Sequence, residues 1–251
     1  MITDSGVLIV TGGSRGIGAA ICRLAAARGY SVAVNYHTGK ASANALVEEI
    51  QFAGGSAVAI QADIGNESDI VRLFQQSDET LGPLTALVNN AAITGGFSYV
   101  DRVKAAMLER LMAVNVTGPI LCAREAVLRL STKHGGNGGA IVNISSRAAE
   151  LGSAGEWVHY AVTKGAIDTL TVGLAREVAQ EGIRVNAVAP GLVDTDIHAT
   201  NGDPGRLDRL LSTIPMGRAG TPQEIAEGVL WLLCPAASFV TGSILAMGGG
   251  R

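Results

Sequence analysis

Seven short, nearly all-apolar runs alternate with longer helix-period stretches along this chain, and that alternation restricts its architecture more than any other feature. The runs are Val7–Val10, Ser31–Asn35, Ala57–Gln61, Ala86–Asn89, Ala140–Ile144, Arg184–Ala189 and Ser243–Ala246. Between them lie helical patterns at Gly18–Arg28, Ala41–Ala53, Ser68–Leu81, Val116–Leu130, Tyr160–Gln180 and Pro222–Leu233. A run that is apolar at almost every position has no face to offer water. It predicts a strand covered on both sides, which is the parallel arrangement with helices as crossovers. Right-handed crossovers then give an α/β, doubly wound parallel sheet of about seven strands with helices on both faces. No linker divides the chain, so residues 1–251 are expected to form a single domain.

Hydrophobic residues make up 47% of the 251 and charged residues 16%, which permits an extensive core and argues against wholesale disorder. A net charge of −3 with no basic run points away from nucleic acid and membrane surfaces as partners. Met1-Ile2-Thr3-Asp4-Ser5 lacks the basic start and apolar run of a signal peptide, so a soluble, cytoplasmic protein is expected. Cys22, Cys122 and Cys234 are isolated, and no CxxC occurs; neither a disulfide framework nor a metal site is suggested. The one low-complexity patch, His134–Gly139, reads as a flexible turn from helix to strand.

Thr11-Gly12-Gly13-Ser14-Arg15-Gly16-Ile17-Gly18 follows the first strand directly and opens a helix, the setting in which a G-x-x-x-G-x-G pattern carries meaning. Glycines let the backbone turn sharply and approach a dinucleotide pyrophosphate, whose charge meets the free N–H groups of the helix start. The sheet is therefore expected to be Rossmann-type, with Gly12, Ser14, Arg15, Gly16, Ile17 and Gly18 against the cofactor. The second strand ends Val34-Asn35-Tyr36-His37-Thr38, without the carboxylate that NAD sites place against the ribose 2′-hydroxyl. Arg15 lies inside the glycine loop near the place of a 2′-phosphate, and a guanidinium suits that anion. An NADP(H) preference is expected, with NAD(H) as the alternative if Asn35, Tyr36 and His37 outweigh Arg15.

Asp63 and Ile64 follow the third strand, where the Asp63 carboxylate is placed to accept from the adenine amino group. Asn89-Asn90-Ala91-Ala92 follows the fourth, where small residues let the backbone pass along the adenosine ribose. Each segment alone is equally a turn. Their common place beyond the carboxyl ends of strands, where open α/β sheets bind ligands, is the signal.

Tyr160 and Lys164 stand one helical turn apart and project from one face. A free phenol, with a pKa of about 10, is a poor base at neutral pH. A cation about 5 Å away, at an effective dielectric of about 20, contributes roughly 3 kcal/mol toward ionising it. Tyr160 is thus the acid/base candidate and Lys164 its tuner. A hydroxyl to hold the substrate oxygen is available where the fifth strand ends in Ser145-Ser146.

From Val7 almost to Arg251 the chain resembles the classical short-chain dehydrogenase/reductase family. The glycine motif, Asn89–Ala92, Ser146, Tyr160 with Lys164, Asn186 and Pro190-Gly191 stand in family order. The resemblance implies a catalytic set of four. Asn115 would kink its helix and hold a water, Ser146 would orient substrate, Tyr160 would exchange the proton, and Lys164 would also bind the nicotinamide ribose. It further implies that Pro190, Gly191, Val193 and Thr195 flank the nicotinamide and its phosphates. Residues 193–220, with His198, Arg206 and Arg209, would form a substrate lid. A homotetramer would assemble through Val116–Leu130, Tyr160–Gln180 and the C-terminal strands. The interval from Ser146 to Tyr160 is one residue longer than is common, which predicts a bulge across Glu150–His159. That longer interval leaves both Ser145 and Ser146 open as the substrate-facing hydroxyl; strand alternation and the match of Ser146 to the family serine favour Ser146.

The expected activity is hydride transfer between NADP(H) and a small-molecule ketone or secondary alcohol. One rival is a 3-oxoacyl-[acyl-carrier-protein] reductase, weakened by Ala140 and Glu181 at positions where such reductases resemble one another in carrying basic residues. A sugar or polyol dehydrogenase suits the polar loop of Arg147, Glu150, Glu156 and His159. A non-catalytic dinucleotide-binding regulator is opposed by the intact Ser146, Tyr160 and Lys164. Trp157 reads equally as a pocket wall, a rim aromatic or a subunit contact.

Overall fold

The computed structural model describes residues 6–195, 205 and 209–251. In chain order its main elements are β1 (Gly6–Val10), α1 (Gly16–Ala27), β2 (Tyr30–Tyr36), α2 (Lys40–Phe52), β3 (Ser56–Gln61), α3 (Glu67–Leu81) and β4 (Leu84–Asn89). There follow α4 (Ala105–Met112), α5 (Gly118–Leu130), β5 (Gly139–Ile144), α6 (Ala148–Leu151), α7 (Val158–Val178), β6 (Ile183–Pro190), α8 (Pro222–Leu233) and β7 (Ile244–Met247). The strands form one sheet in the order β3-β2-β1-β4-β5-β6-β7, and every described pairing is parallel. The doubly wound architecture expected from the alternating runs is present.

Each sheet face carries its own core. Leu8, Val10, Val32 and Val34 pack with Ile21, Leu46 and Val229 from α1, α2 and α8. Ile9, Leu87, Ile141 and Val185 pack on the opposite side with Leu73, Ala126 and Val178 from α3, α5 and α7. Because chain order reverses at β1, the segments leaving β1 and β4 diverge and open a crevice at the carboxyl ends of the strands. That crevice positions everything that follows.

Several boundaries differ from the sequence pattern, each for a physical reason. The run expected as one helix from Val116 begins earlier, as α4, and passes through a π-helical turn at Ala113–Thr117 into α5. By length and composition Ala105–Leu130 could cross a bilayer, but half of it is buried inside the fold. The His134–Gly139 patch makes the expected turn from helix to strand, tied back to the end of α5. Gly138 N–H donates to Leu130 O at 2.7 Å, and a Cβ at Gly136 would lie 2.3 Å from Arg129 O. Glu150–His159, where a bulge is expected, combines the end of α6, a turn and the start of α7. After α6 the backbone turns left-handed at Gly152 (φ 74°), Ser153 (φ 49°) and Gly155 (φ 75°). Ser153 is the one non-glycine with positive φ among the described residues, a strain held at the edge of the crevice. Of the expected lid, residues 196–204 and 206–208, with His198 and Arg206, lie outside the described residues, as does Met1–Ser5.

Candidate active site

The glycine loop is held from both sides by the ends of neighbouring strands. Asn35 Oδ1 accepts from Gly12 N–H at 3.0 Å, and Gly13 N–H donates to Asn35 O at 2.8 Å. Asn90 Nδ2 donates to Thr11 O and Gly12 O at 2.9 and 3.0 Å, while Thr11 Oγ1 accepts from Asn90 N–H and Ala91 N–H. The glycines are required by closeness. A Cβ at Gly12 (φ 61°) would lie 2.9 Å from Ala91 Cα, and one at Gly18 would lie 2.3 Å from Gly12 O. Helix α1 then begins after Arg15 with no capping side chain and no acidic residue in its first turn. Its leading N–H groups remain available to an anion, and the backbone cradle fits a pyrophosphate.

Around this loop lies a cleft of about 980 Å³. It is bordered by Ser14, Arg15, Gly16 and Ile17 of the loop, by Asn35 and Tyr36 at the end of β2, and by His37 just after it. Asp63, Ile64 and Ala91 border it as well, as do Pro190, Gly191, Val193 and Thr195 after β6. Arg15 is exposed, and a Cβ on neighbouring Gly39 would lie 3.3 Å from Ser14 Oγ, so loop and β2 end meet closely. Asn35 is buried; its Oδ1 and backbone O hold the loop, while its Nδ2 donates to Ile60 O and Ala62 O at the end of β3 and so ties the loop to that strand.

Two of the expected positions sit differently. Asn89 does not line the cleft: its Nδ2 donates inward to Pro119 O and Asn143 Oδ1, and its neighbour Asn90 takes the cleft position. Asp63 borders the cleft, but its Oδ1 already accepts from Arg110 at 2.8 Å and from Gly65 N–H. Burial works to raise the Asp63 carboxyl, and those hydrogen bonds outweigh it and hold it below the usual range. Arg110 is not legible as a site residue, because nothing local in the sequence marks a long-range partner, and within Asn89–Ala92 nothing local decides which asparagine faces the cleft.

The same cleft receives Ser146, Tyr160 and Lys164. Lys164 Nζ lies 5.5 Å from the centroid of the Tyr160 ring and donates to Ile144 O at 2.6 Å. Burial pulls this ammonium down to about 8, opposed by Asp168 one turn along α7, so it stays mostly protonated at neutral pH. Ser145 is buried, with its Oγ donating to Lys164 O at 3.4 Å beneath α7. Ser146 is the more open of the two; its Oγ accepts from Ala148 N–H. Asn115 sits within the π turn and is buried. Its Nδ2 donates to Ile93 O at 2.8 Å and Thr163 Oγ1 at 3.1 Å, and its Oδ1 accepts from Ile93 N–H at 2.9 Å. It ties the loop after β4 to α7 without itself bordering the cleft.

At the outer end, Trp157 is 5% exposed and forms part of the wall. Arg147 is engaged by Glu150 at 2.6 Å and donates from Nε to Arg251 O. His159, expected in a polar loop, is instead buried, with Nε2 3.0 Å from Thr94 O. No cluster of metal-ligating side chains exists among the described residues.

Comparison with known proteins agrees with this geometry. The family model described as Enoyl-(Acyl carrier protein) reductase matches residues 12–251. The uncharacterized oxidoreductase YgfF of Escherichia coli K12 is 51% identical over 98% of this chain and 99% of its own. A 3-oxoacyl-[acyl-carrier-protein] reductase of Synechocystis is 37% identical over 97% of this chain and 96% of its own. Among solved structures, a short chain dehydrogenase from Burkholderia cenocepacia in complex with NADP superposes with a TM-score of 0.90. It is 33% identical, covering 98% of this chain and 97% of its own.

Proposed function

This chain is an oxidoreductase of the classical short-chain dehydrogenase/reductase family, and on that premise we propose that it interconverts a ketone and a secondary alcohol using NADP(H). The observation that carries this reading is the sharing of one cleft by the glycine loop, Ser146, Tyr160 and the buried Lys164. When bound, the nicotinamide supplies or takes up the hydride. The Tyr160 hydroxyl gives a proton to the carbonyl oxygen, or removes it from the alcohol, and the Ser146 hydroxyl holds that oxygen in place. Lys164, 5.5 Å from the phenol ring, favours the ionised phenol by its charge. Asn115 acts at one remove, fixing Ile93 against α7.

Arg15, exposed at the cleft next to Ser14, with no carboxylate at the end of β2, supports the choice of the phosphorylated dinucleotide. The Burkholderia relative's NADP complex points the same way. A thermal melt with NADPH, with NADH and with neither tests the reading. Ligand at about a hundred times its Kd adds roughly 2.7 kcal/mol, a shift easily seen. NADPH is expected to give the larger shift, and Arg15→Asp to reverse the order. No shift with either cofactor overturns the proposal. Exposed Ile120, Leu128 and Val162 on α5 and α7 support a homotetramer, as do Trp231 on α8 and Phe239 just before β7. Analytical ultracentrifugation reads that state directly.

A further inference from the structure

Resting on the ketone reductase reading, we infer that the outer end of the cleft selects a carbonyl compound carrying an aryl group, with Trp157 as the wall against which that ring lies. Trp157 precedes α7 and stands three residues before Tyr160, which brings the indole to the reacting end. The two ring centroids are 6.2 Å apart and their planes cross at 71°. From the loop after β4, Phe97 meets the same indole at 5.0 Å and 39°. Ser98 N–H donates to Glu156 O at 3.1 Å, so the two loops that supply these rings are joined by their backbones. Edge-on and tilted contacts are the arrangements in which aromatic rings attract, and a third ring extends the cluster on the same terms.

The surroundings favour the same occupant. Ile93, Ala148, Leu151, Ala154, Leu192 and Leu210 supply further cleft wall. The Arg147 guanidinium next to Ser146 is already held by Glu150 at 2.6 Å, which removes one cation from substrate recognition. Exposed large apolar side chains gather near this end of the chain's fold: Phe97 and Tyr99 from one loop, Leu151 from α6, and Met216, whose N–H donates to Gly249 O. An aryl ketone asks only for the Ser146 and Tyr160 hydroxyls at its oxygen and an apolar wall for its ring.

The test separates binding from chemistry. Acetophenone, butanone and hydroxyacetone are titrated calorimetrically into the protein with and without saturating NADP⁺, a state that cannot reduce them. Acetophenone is expected to bind at least tenfold more tightly than either of the others. Trp157→Leu is expected to reduce that preference below threefold, and Phe97→Leu, at a partly exposed position, to reduce it without threatening the fold. Equal binding of the three ketones, a preference for hydroxyacetone, or an aryl preference that survives both substitutions overturns the inference. Turnover with NADPH is then read separately. Acetophenone that binds preferentially but is never reduced counts against the reductase reading and leaves the aryl wall standing.

Discussion

At the cofactor end the cleft wall is largely backbone, whereas at the substrate end it is side chain. Gly12, Gly18 and the start of α1 form a surface whose shape follows from missing Cβ atoms and free N–H groups. Across the cleft, Ser146, Tyr160 and Trp157 reach in from an end of β5, a long helix and a strained loop. A backbone cradle can serve one anion, the pyrophosphate, in any substrate context. A side-chain wall can be retuned residue by residue without disturbing the sheet. The division predicts that lesions at the two ends fail in different ways.

Tyr160→Phe gives the largest separation. Turnover should fall by about a thousandfold, within the usual reach of general acid–base catalysis, while NADPH affinity stays within about twofold. Stopped-flow fluorescence and steady-state assays on the same preparation read both. Loss of cofactor binding along with turnover erases the distinction between the ends.

Glycine substitutions probe the opposite end. At Gly18 an added methyl meets Gly12 O at 2.3 Å and Asn90 Nδ2 at 2.6 Å, and Gly12 is fixed in turn by Asn35. Gly18→Ala should weaken NADPH binding by about a hundredfold. Gly16→Ala is the control from the same loop. Among the described residues its methyl meets only Thr195, with Cγ2 at 3.6 Å and Cβ at 3.8 Å, and the φ of 53° should cost about 1–2 kcal/mol. Equal losses in the two variants would mean that crowding is not what requires glycine here.

Lys164 belongs to both ends, and its ionisation gives a smaller, pH-dependent effect. In the folded protein the ammonium loses its proton near pH 8, against 10.5 in an unfolded chain. Between those values the unfolded state binds more protons, so stability contributed by this residue rises with pH across that window and is flat below it. Urea midpoints at pH 7.5 and 10 should show wild type gaining on Lys164→Met by on the order of 3 kcal/mol. Parallel pH profiles for the two proteins would place the ammonium in water rather than in the core.

The difference between the ends also explains what the sequence reveals. Nearly continuous apolar runs, set between stretches of period 3.6, place the sheet because burial acts on almost every residue of β1, β5 or β6. The glycine loop is legible because it is contiguous and each glycine answers a local steric demand. Tyr160 and Lys164 share one helix, so their spacing carries the geometry. Asn90 and Asn89 are indistinguishable as neighbours in the chain; only tertiary packing decides that Asn89 turns inward to Asn143. The Arg110 contact with Asp63 joins residues 47 positions apart, and the Trp157 contact with Phe97 joins two loops. Neither leaves a periodic mark. The polar loop misled for a related reason: His159 looks solvated in sequence because its carbonyl partner, Thr94, lies 65 residues earlier.

His159 gives the smallest expected effect and the finest test of the comparison. Its imidazole is buried beside Tyr160, and Nε2 lies within hydrogen-bond distance of Thr94 O; Nδ1 has no described partner. With the ring hydrogen on Nε2, it donates to that carbonyl. A Cβ on Gly95, at φ 78°, would come within 3.2 Å of the imidazole and 2.6 Å of Met107 Sδ, so the loop lies close against α7 here. Asn115 grips the preceding residue through both Ile93 N–H and O. Two side chains thus set how far the Thr94–Gly96 wall stands from Tyr160, and neither touches the cofactor loop in the described contacts. His159→Phe fills the space but cannot donate, whereas His159→Asn is shorter and retains a donor. The Phe variant should raise the ketone KM about fivefold, leave kcat within twofold and leave NADPH affinity unchanged, with partial recovery of KM in the Asn variant. A uniform loss in kcat, KM and cofactor binding would make His159 a core residue of the whole fold, and the wall would need another explanation for its position.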